Sequence, residues 1–175
     1  MIYYAVIDTN VVVSAMLNPD SVPGTVLKCA FSGIIVPFIN QEILDEYIEV
    51  ISREQFGFDQ KDIDFFLTNI NERAIFVDRT PTSEIFVDKK DVVFYEIALT
   101  GRNKTNAYLI TGNTKHFPKK PFVVTPREMI DIINSNWIAA ITNSGGSFII
   151  HYIRMDNVTT NRIIIFIRGN CYVTS

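Results

Sequence analysis

What most constrains the fold of this chain is a set of short runs that are apolar at consecutive rather than alternate positions. Ile2 to Ile7, Ile34 to Ile39, Ala107 to Ile110 and Phe122 to Val124 are of this kind, and Ile75 to Val77 is a shorter fifth. A strand covered by helices on both faces reads this way, because neither face meets water. Between the runs, apolar residues fall at helical spacing. Val11 to Leu17 turns into a helix stopped by Asn18 and Pro19, and Thr25 to Phe31 is a second, closed by Ser32 and Gly33. Asn40 caps a helix from Gln41 to Ser52, in which Ile43, Leu44, Tyr47, Ile48 and Ile51 share a face. Further helices are expected over Asp59 to Ile70 and over Asp91 to Thr100, the latter ended by Gly101. Thr125 and Pro126 open the last, to Ile133, with Glu128 completing a capping box. Strands alternating with helices mean an α/β sandwich around a parallel sheet.

The totals agree with that class. The chain has 175 residues, 47% hydrophobic and 20% charged, enough for one globular domain with an appendage. No apolar run approaches the roughly 20 residues of a membrane span. The start, MIYYAVID, lacks the basic residues and long apolar core of a signal peptide. Cys29 and Cys171 show neither metal spacing nor a disulfide framework, so both read as small core hydrophobes of a cytoplasmic protein. A net charge of −3 argues against a generic nucleic-acid binder, but the charge is uneven. Residues 1–88 carry 14 acids against 5 bases, and residues 89–128 carry 8 bases against 3 acids. An acidic cluster beside a basic strip suits a cation site next to a polyanion groove, although a solvated basic surface accounts for the count as well.

After Trp137 the pattern changes. NSGGS at 143–147 reads as a linker, and FIIHYIR and RIIIFIR are two β runs expected to pair over 147–153 and 161–168. The expected division is a domain over 1–136 and a C-terminal β-hairpin-like extension over 137–175. A lone hairpin needs a surface to cover it, and a second copy, as in a homodimer, is favoured over the chain's own domain.

In an open parallel sheet, ligands bind at the carboxyl ends of the strands. Asp8 ends the first run; Glu42 and Glu46 lie in the first turns after the second; Asp88 and Asp91 head the helix before Ala107. Asn113, in TGN, follows the fourth. Each has a plainer reading, since Asp8 and Asp91 can cap helices, Glu42 and Glu46 can be solvated, and Asn113 can be a turn residue. Their meeting at one rim favours another account. Carboxylates gathered without Lys or Arg repel one another, and a hard divalent cation relieves the repulsion. Mg²⁺ or Mn²⁺ suits oxygen ligands, whereas zinc lacks its Cys/His set.

The motifs VIDTNVVVSAML, INQEILDEYIEVISR, DKKDVVFYEIALTG, YLITGNTKHFP and VVTPREMIDII, in that order over about residues 2–134, resemble the PIN-domain nucleases. The resemblance is strongest to a subgroup of toxin components of bacterial toxin–antitoxin systems. It implies a three-layer α/β/α sandwich with sheet order 3-2-1-4-5, and a Mg²⁺- or Mn²⁺-dependent ribonuclease acting on single-stranded RNA, with an antitoxin protein as partner. Asp8 matches the first metal-binding acid, and Asn10 the small polar residue that orients it. Glu46 matches the second acid, with Glu42 on the same helical face as second choice. Asp91 matches the third, with Asp88 as accessory. In the T-x-D pattern Thr111 is present, but Asn113 replaces the acid, which removes a charge from the catalytic set. Lys115, His116, Lys119, Lys120 and Arg127 are candidates to hold the RNA backbone; for His116 a turn residue beside Phe117 is the plainer reading.

Two rivals are weighed. A haloacid dehalogenase-like phosphatase needs a second Asp two residues after the nucleophile, and Asn10 holds that place. A PIN fold with weak or no catalysis, acting through a protein partner, stays open because of Asn113 and the unmatched tail.

Overall fold

The computed structural model describes residues 1–86, 88–143, 164–167 and 170–173. The chain separates into two compact units, Met1–Ser135 and Asn136–Ser175. The first holds a five-stranded sheet in the order β3-β2-β1-β4-β5, from β1 (Tyr3–Ile7), β2 (Ile35–Ile39), β3 (Ile75–Phe76), β4 (Tyr108–Ile110) and β5 (Val123–Val124). Every pairing is parallel, with Ala5 opposite Pro37 on one side of β1 and Ile7 opposite Ile110 on the other. This is the expected three-layer α/β class and the expected strand order.

The order follows from burial. Ala5, Val6 and Ile7 are all buried, as are Pro37, Phe38 and Ile39 at the end of β2, so both strands are covered on both faces. The covering helices are α1 (Thr9–Leu17), α2 (Val22–Phe31), α3 (Gln41–Ile51), α4 (Gln60–Arg73), α5 (Asp91–Arg102) and α6 (Pro126–Asn143). Helix α5 packs on β1, β2 and β4, while α2 and α4 pack on β2.

Several boundaries differ from expectation. Helix α2 begins at Val22, because Ser21 caps it by accepting from the Gly24 N–H at 3.1 Å and Pro23 suits a first turn. Gly101 does not end α5, which runs on to Arg102. A Cβ there would fall 2.4 Å from Phe38 Cδ2, so the glycine serves close packing of helix on sheet. Helix α6 continues ten residues past Ile133, to Asn143; no Pro or Gly interrupts 127–143. The tail holds a pairing not expected from the sequence. Strand β6 (Ile164–Ile167) runs antiparallel to β7 (Asn170–Val173), with Phe166 opposite Cys171. The expected partner, 147–153, lies outside the described residues. Among the described residues no helix is long and apolar enough to cross a membrane.

Candidate active site

The site begins where β1 and β4 end side by side. The Asp8 N–H donates to the Ile110 carbonyl at 2.9 Å, so Asp8 and Thr111 are the first residues beyond the two central strands. Asp8 is also the N-cap of α1, accepting from the Asn10 N–H. Its Oδ2 accepts the Thr111 hydroxyl at 2.6 Å and the Asn10 amide at 2.5 Å. Asn10 in turn accepts the Gly112 N–H at 2.9 Å, and Thr111 Oγ1 accepts the Asn113 N–H at 3.0 Å. A Cβ on Gly112 would stand 3.0 Å from Asn10 Oδ1. One small network thus ties the end of β1 to the loop after β4. Asp8 is 5% exposed, and burial pushes its carboxyl above the ordinary range against the pull of Thr111 and Asn10.

Glu46 comes from α3. The Thr9 hydroxyl, on the first residue of α1, donates to Glu46 Oε1 at 2.8 Å. The Glu46 carboxyl is also raised, first by burial and then by the charges of Asp8 and Asp91, against the Thr9 bond and Lys90. Asp91 opens α5, and its Oδ2 meets His116 Nδ1 at 3.2 Å. Burial, then the charge of Asp8, raises it too, with Asp88 adding and His116 opposing. The charge of Asp8 is thus felt at both Glu46 and Asp91. Among the described residues none of the three has a Lys or Arg ion pair.

Glu42, one turn before Glu46, has a different partner. Its Oε2 lies 3.0 Å from Arg79 Nη1, and Arg79 Nε lies 3.4 Å from the buried Glu96. Asp88 is exposed and accepts the Lys90 N–H at 2.9 Å. Glu42, Glu46, Arg79, Lys89 and Lys90 help line an open cleft of about 360 Å³ beside the site. Of the candidate RNA-binding residues, His116 is drawn into the acid site by Asp91, and Lys120 pairs with Glu84 at 2.8 Å. Lys115, Lys119 and Arg127 are exposed.

The donor set fits a hard divalent cation in charge and atom type, since the charge of Asp8 raises both other carboxyls and none of the three has a Lys or Arg ion pair among the described residues. The spacing is not closed. Among the described residues no three His, Cys, Asp or Glu side chains stand close enough to hold a metal ion. Each acid is instead held by a protein partner: Thr111 and Asn10, Thr9, or His116. Thr9 takes part in this arrangement, and Arg79 and Glu96 in the one around Glu42; all three went unassigned from sequence. For Thr9 a signal existed, a hydroxyl at the head of a helix directly after a capping acid.

The sequence profile of the PIN domain matches residues 4–115. An uncharacterized protein of Methanocaldococcus jannaschii is 29% identical over 112 residues, covering 62% of this chain and 69% of its own length. No solved structure matches at a significant level.

Proposed function

Because the chain belongs to the PIN domain family, whose members are in general nucleases, we propose that it is a Mg²⁺- or Mn²⁺-dependent endoribonuclease cleaving single-stranded RNA. The observation that carries the proposal is that Asp8, Glu46 and Asp91, from three elements at the carboxyl edge of the sheet, all have raised carboxyls, the charge of Asp8 being one cause at the other two. These three would hold the cation. A bound Mg²⁺ or Mn²⁺ would supply Lewis-acid polarisation of the phosphodiester and a more acidic bound water. The chain's own residues do the rest. Thr111 and Asn10 fix Asp8, Thr9 fixes Glu46, and His116 holds Asp91. Lys115, Lys119 and Arg127 would hold the RNA backbone, a sequence-independent and salt-sensitive role.

The biological reading we favour is the toxin of a toxin–antitoxin pair acting in the cytoplasm, supported by the motif resemblance. Its test is growth arrest on expression, relieved by the product of a neighbouring reading frame. Cleavage of labelled single-stranded RNA by the purified chain, with Mn²⁺ and then EDTA, tests the chemistry. Absence of metal-dependent cleavage, or equal cleavage by Asp8→Asn, defeats the reading. One observation favours a second reading, a PIN fold that acts through a protein partner with little catalysis: every acid already has a protein partner, and Asn113 replaces a fourth.

A further inference from the structure

Tyr47 touches each of the three elements that carry the acids. It follows Glu46 on α3, and its hydroxyl donates to the carbonyl of Ile7, the residue before Asp8. Its ring lies 6.5 Å, centroid to centroid, from Phe94 on α5, one turn beyond Asp91. Tyr47 is 1% exposed. A hydroxyl at that depth is costly unless bonded, so a site asking only for aromatic volume would be served by phenylalanine. The bond supplies direction that ring packing lacks. Apolar contact tolerates sliding, whereas a hydrogen bond weakens within a few tenths of an ångström. A slip of α3 by one residue moves it about 1.5 Å along its axis, enough to take Glu46 out of reach of the Thr9 hydroxyl, now at 2.8 Å.

We propose that Tyr47 is a positioning residue for the acidic site: its hydroxyl sets the register of α3 against the end of β1 and so brings Glu46 to Thr9 and into the field of Asp8. The inference rests on reading Asp8, Glu46 and Asp91 as a cation site. Loss of support for a metal ligand typically weakens binding about 10-fold or more, and Tyr47→Phe is expected to weaken Mn²⁺ binding by that much.

The test uses the full chain with Mn²⁺ alone as the probe, read by calorimetry, and urea unfolding as the measure of stability. Phe66→Leu is the control. Phe66 is buried and packs 5.7 Å from the Tyr47 ring, but it lies on α4, which carries no candidate acid. Phe66→Leu should lower the urea midpoint and leave Mn²⁺ affinity unchanged. Parent-like Mn²⁺ binding by Tyr47→Phe, or equal weakening by Phe66→Leu, overturns the inference. A parent that binds no Mn²⁺ defeats the cation reading instead, and metal-free protein then decides on Tyr47. Thr9→Val should lower the urea midpoint less in the Tyr47→Phe background than in the parent. An equal effect in both backgrounds, including none, overturns the positioning role.

Discussion

Replacing Asp8 by asparagine and, separately, by alanine separates two things this side chain does. Both variants remove the charge, so both relieve the same burial cost and the same repulsion from Glu46 and Asp91. They differ in hydrogen bonds. The Thr111 hydroxyl and the Asn10 amide both converge on Asp8 Oδ2, so the single carbonyl oxygen of asparagine can keep both, while alanine keeps neither. Thr111 is fully buried, and a donor stranded there costs about 1–3 kcal/mol. Asn10 is exposed and can turn to water, adding about 0.5 kcal/mol. Alanine should therefore be less stable than asparagine by about 1.5–3.5 kcal/mol, or roughly 3–14 °C in midpoint for a chain of this size.

The parent gives the sign of the charge effect. Its Asp8 carboxyl is raised in the folded state, burial being the largest cause. Below the ordinary carboxylate range the acid is neutral in folded and unfolded chains alike, and no penalty exists. As pH rises from about 4, the unfolded chain gives up its proton first, and the penalty grows until the raised folded value is passed. The parent should thus lose stability relative to Asp8→Asn between about pH 4 and neutrality. The gap between asparagine and alanine, neither of which titrates, should stay flat. Urea unfolding in EDTA, followed by circular dichroism across that range, reads both. Equal stability of the two variants at neutral pH would refute the buried bonding, and a parent that gains on asparagine with rising pH would refute the raised carboxyl.

Four other outcomes are expected. Glu46→Gln and Asp91→Asn should abolish Mn²⁺-dependent RNA cleavage while Glu42→Gln largely retains it, since Glu42 faces Arg79; single-turnover assays on labelled RNA decide. Glu96→Gln should lower stability by about 1–2 kcal/mol in urea, because the buried carboxylate accepts the Thr82 N–H at 2.7 Å and faces Arg79. Gly101→Ala should lower the melting temperature, because overpacking against Phe38 costs about 1–3 kcal/mol and the gain in helix propensity returns about 1. Removing the residues after Asn143 should take the sedimenting mass from that of a dimer to that of a monomer if the hairpin joins two copies, and a loss no larger than the residues removed rejects that role.

The fold was legible in the sequence because burial on both faces writes itself as unbroken apolar runs, as in Ala5 to Ile7 and Phe38 to Ile39. The choice between Glu42 and Glu46 was not legible from spacing, because residues one turn apart share a helical face. The distant partners distinguish them: Thr9, 37 residues before Glu46, and Arg79, 37 residues after Glu42. Such pairings depend on which loops meet at the sheet edge, which periodicity does not encode. Gly101 was misread for a related reason. A glycine near a helix end suggests a stop, and only the approach of Phe38 shows that close packing is its use. The length of α6 was underestimated although nothing in 127–143 would break it.

The energetics of the acidic site also bear on which reading of the chain is preferable. A cap at the head of α1 needs a side-chain oxygen, not a charge, and Ser, Thr or Asn would serve there. Glu46 and Asp91 are likewise partly withdrawn from water on α3 and α5, where neutral polar residues would fold as well. Instead the folded chain carries three carboxylates whose ionised forms are disfavoured by burial, with the charge of Asp8 adding to it at Glu46 and Asp91. That arrangement lowers stability at neutral pH, and no ion pair with Lys or Arg offsets it among the described residues. Thr111, Asn10 and Thr9 reduce the penalty without cancelling it, since all three carboxyls remain raised. A divalent cation would convert the repulsion into attraction and stabilise the fold on binding. A protein acting only through a partner would need no such cluster at its sheet edge, so Mn²⁺ should raise the melting temperature of the parent and not that of Asp8→Asn; the same shift in both would leave the cluster without the role proposed for it.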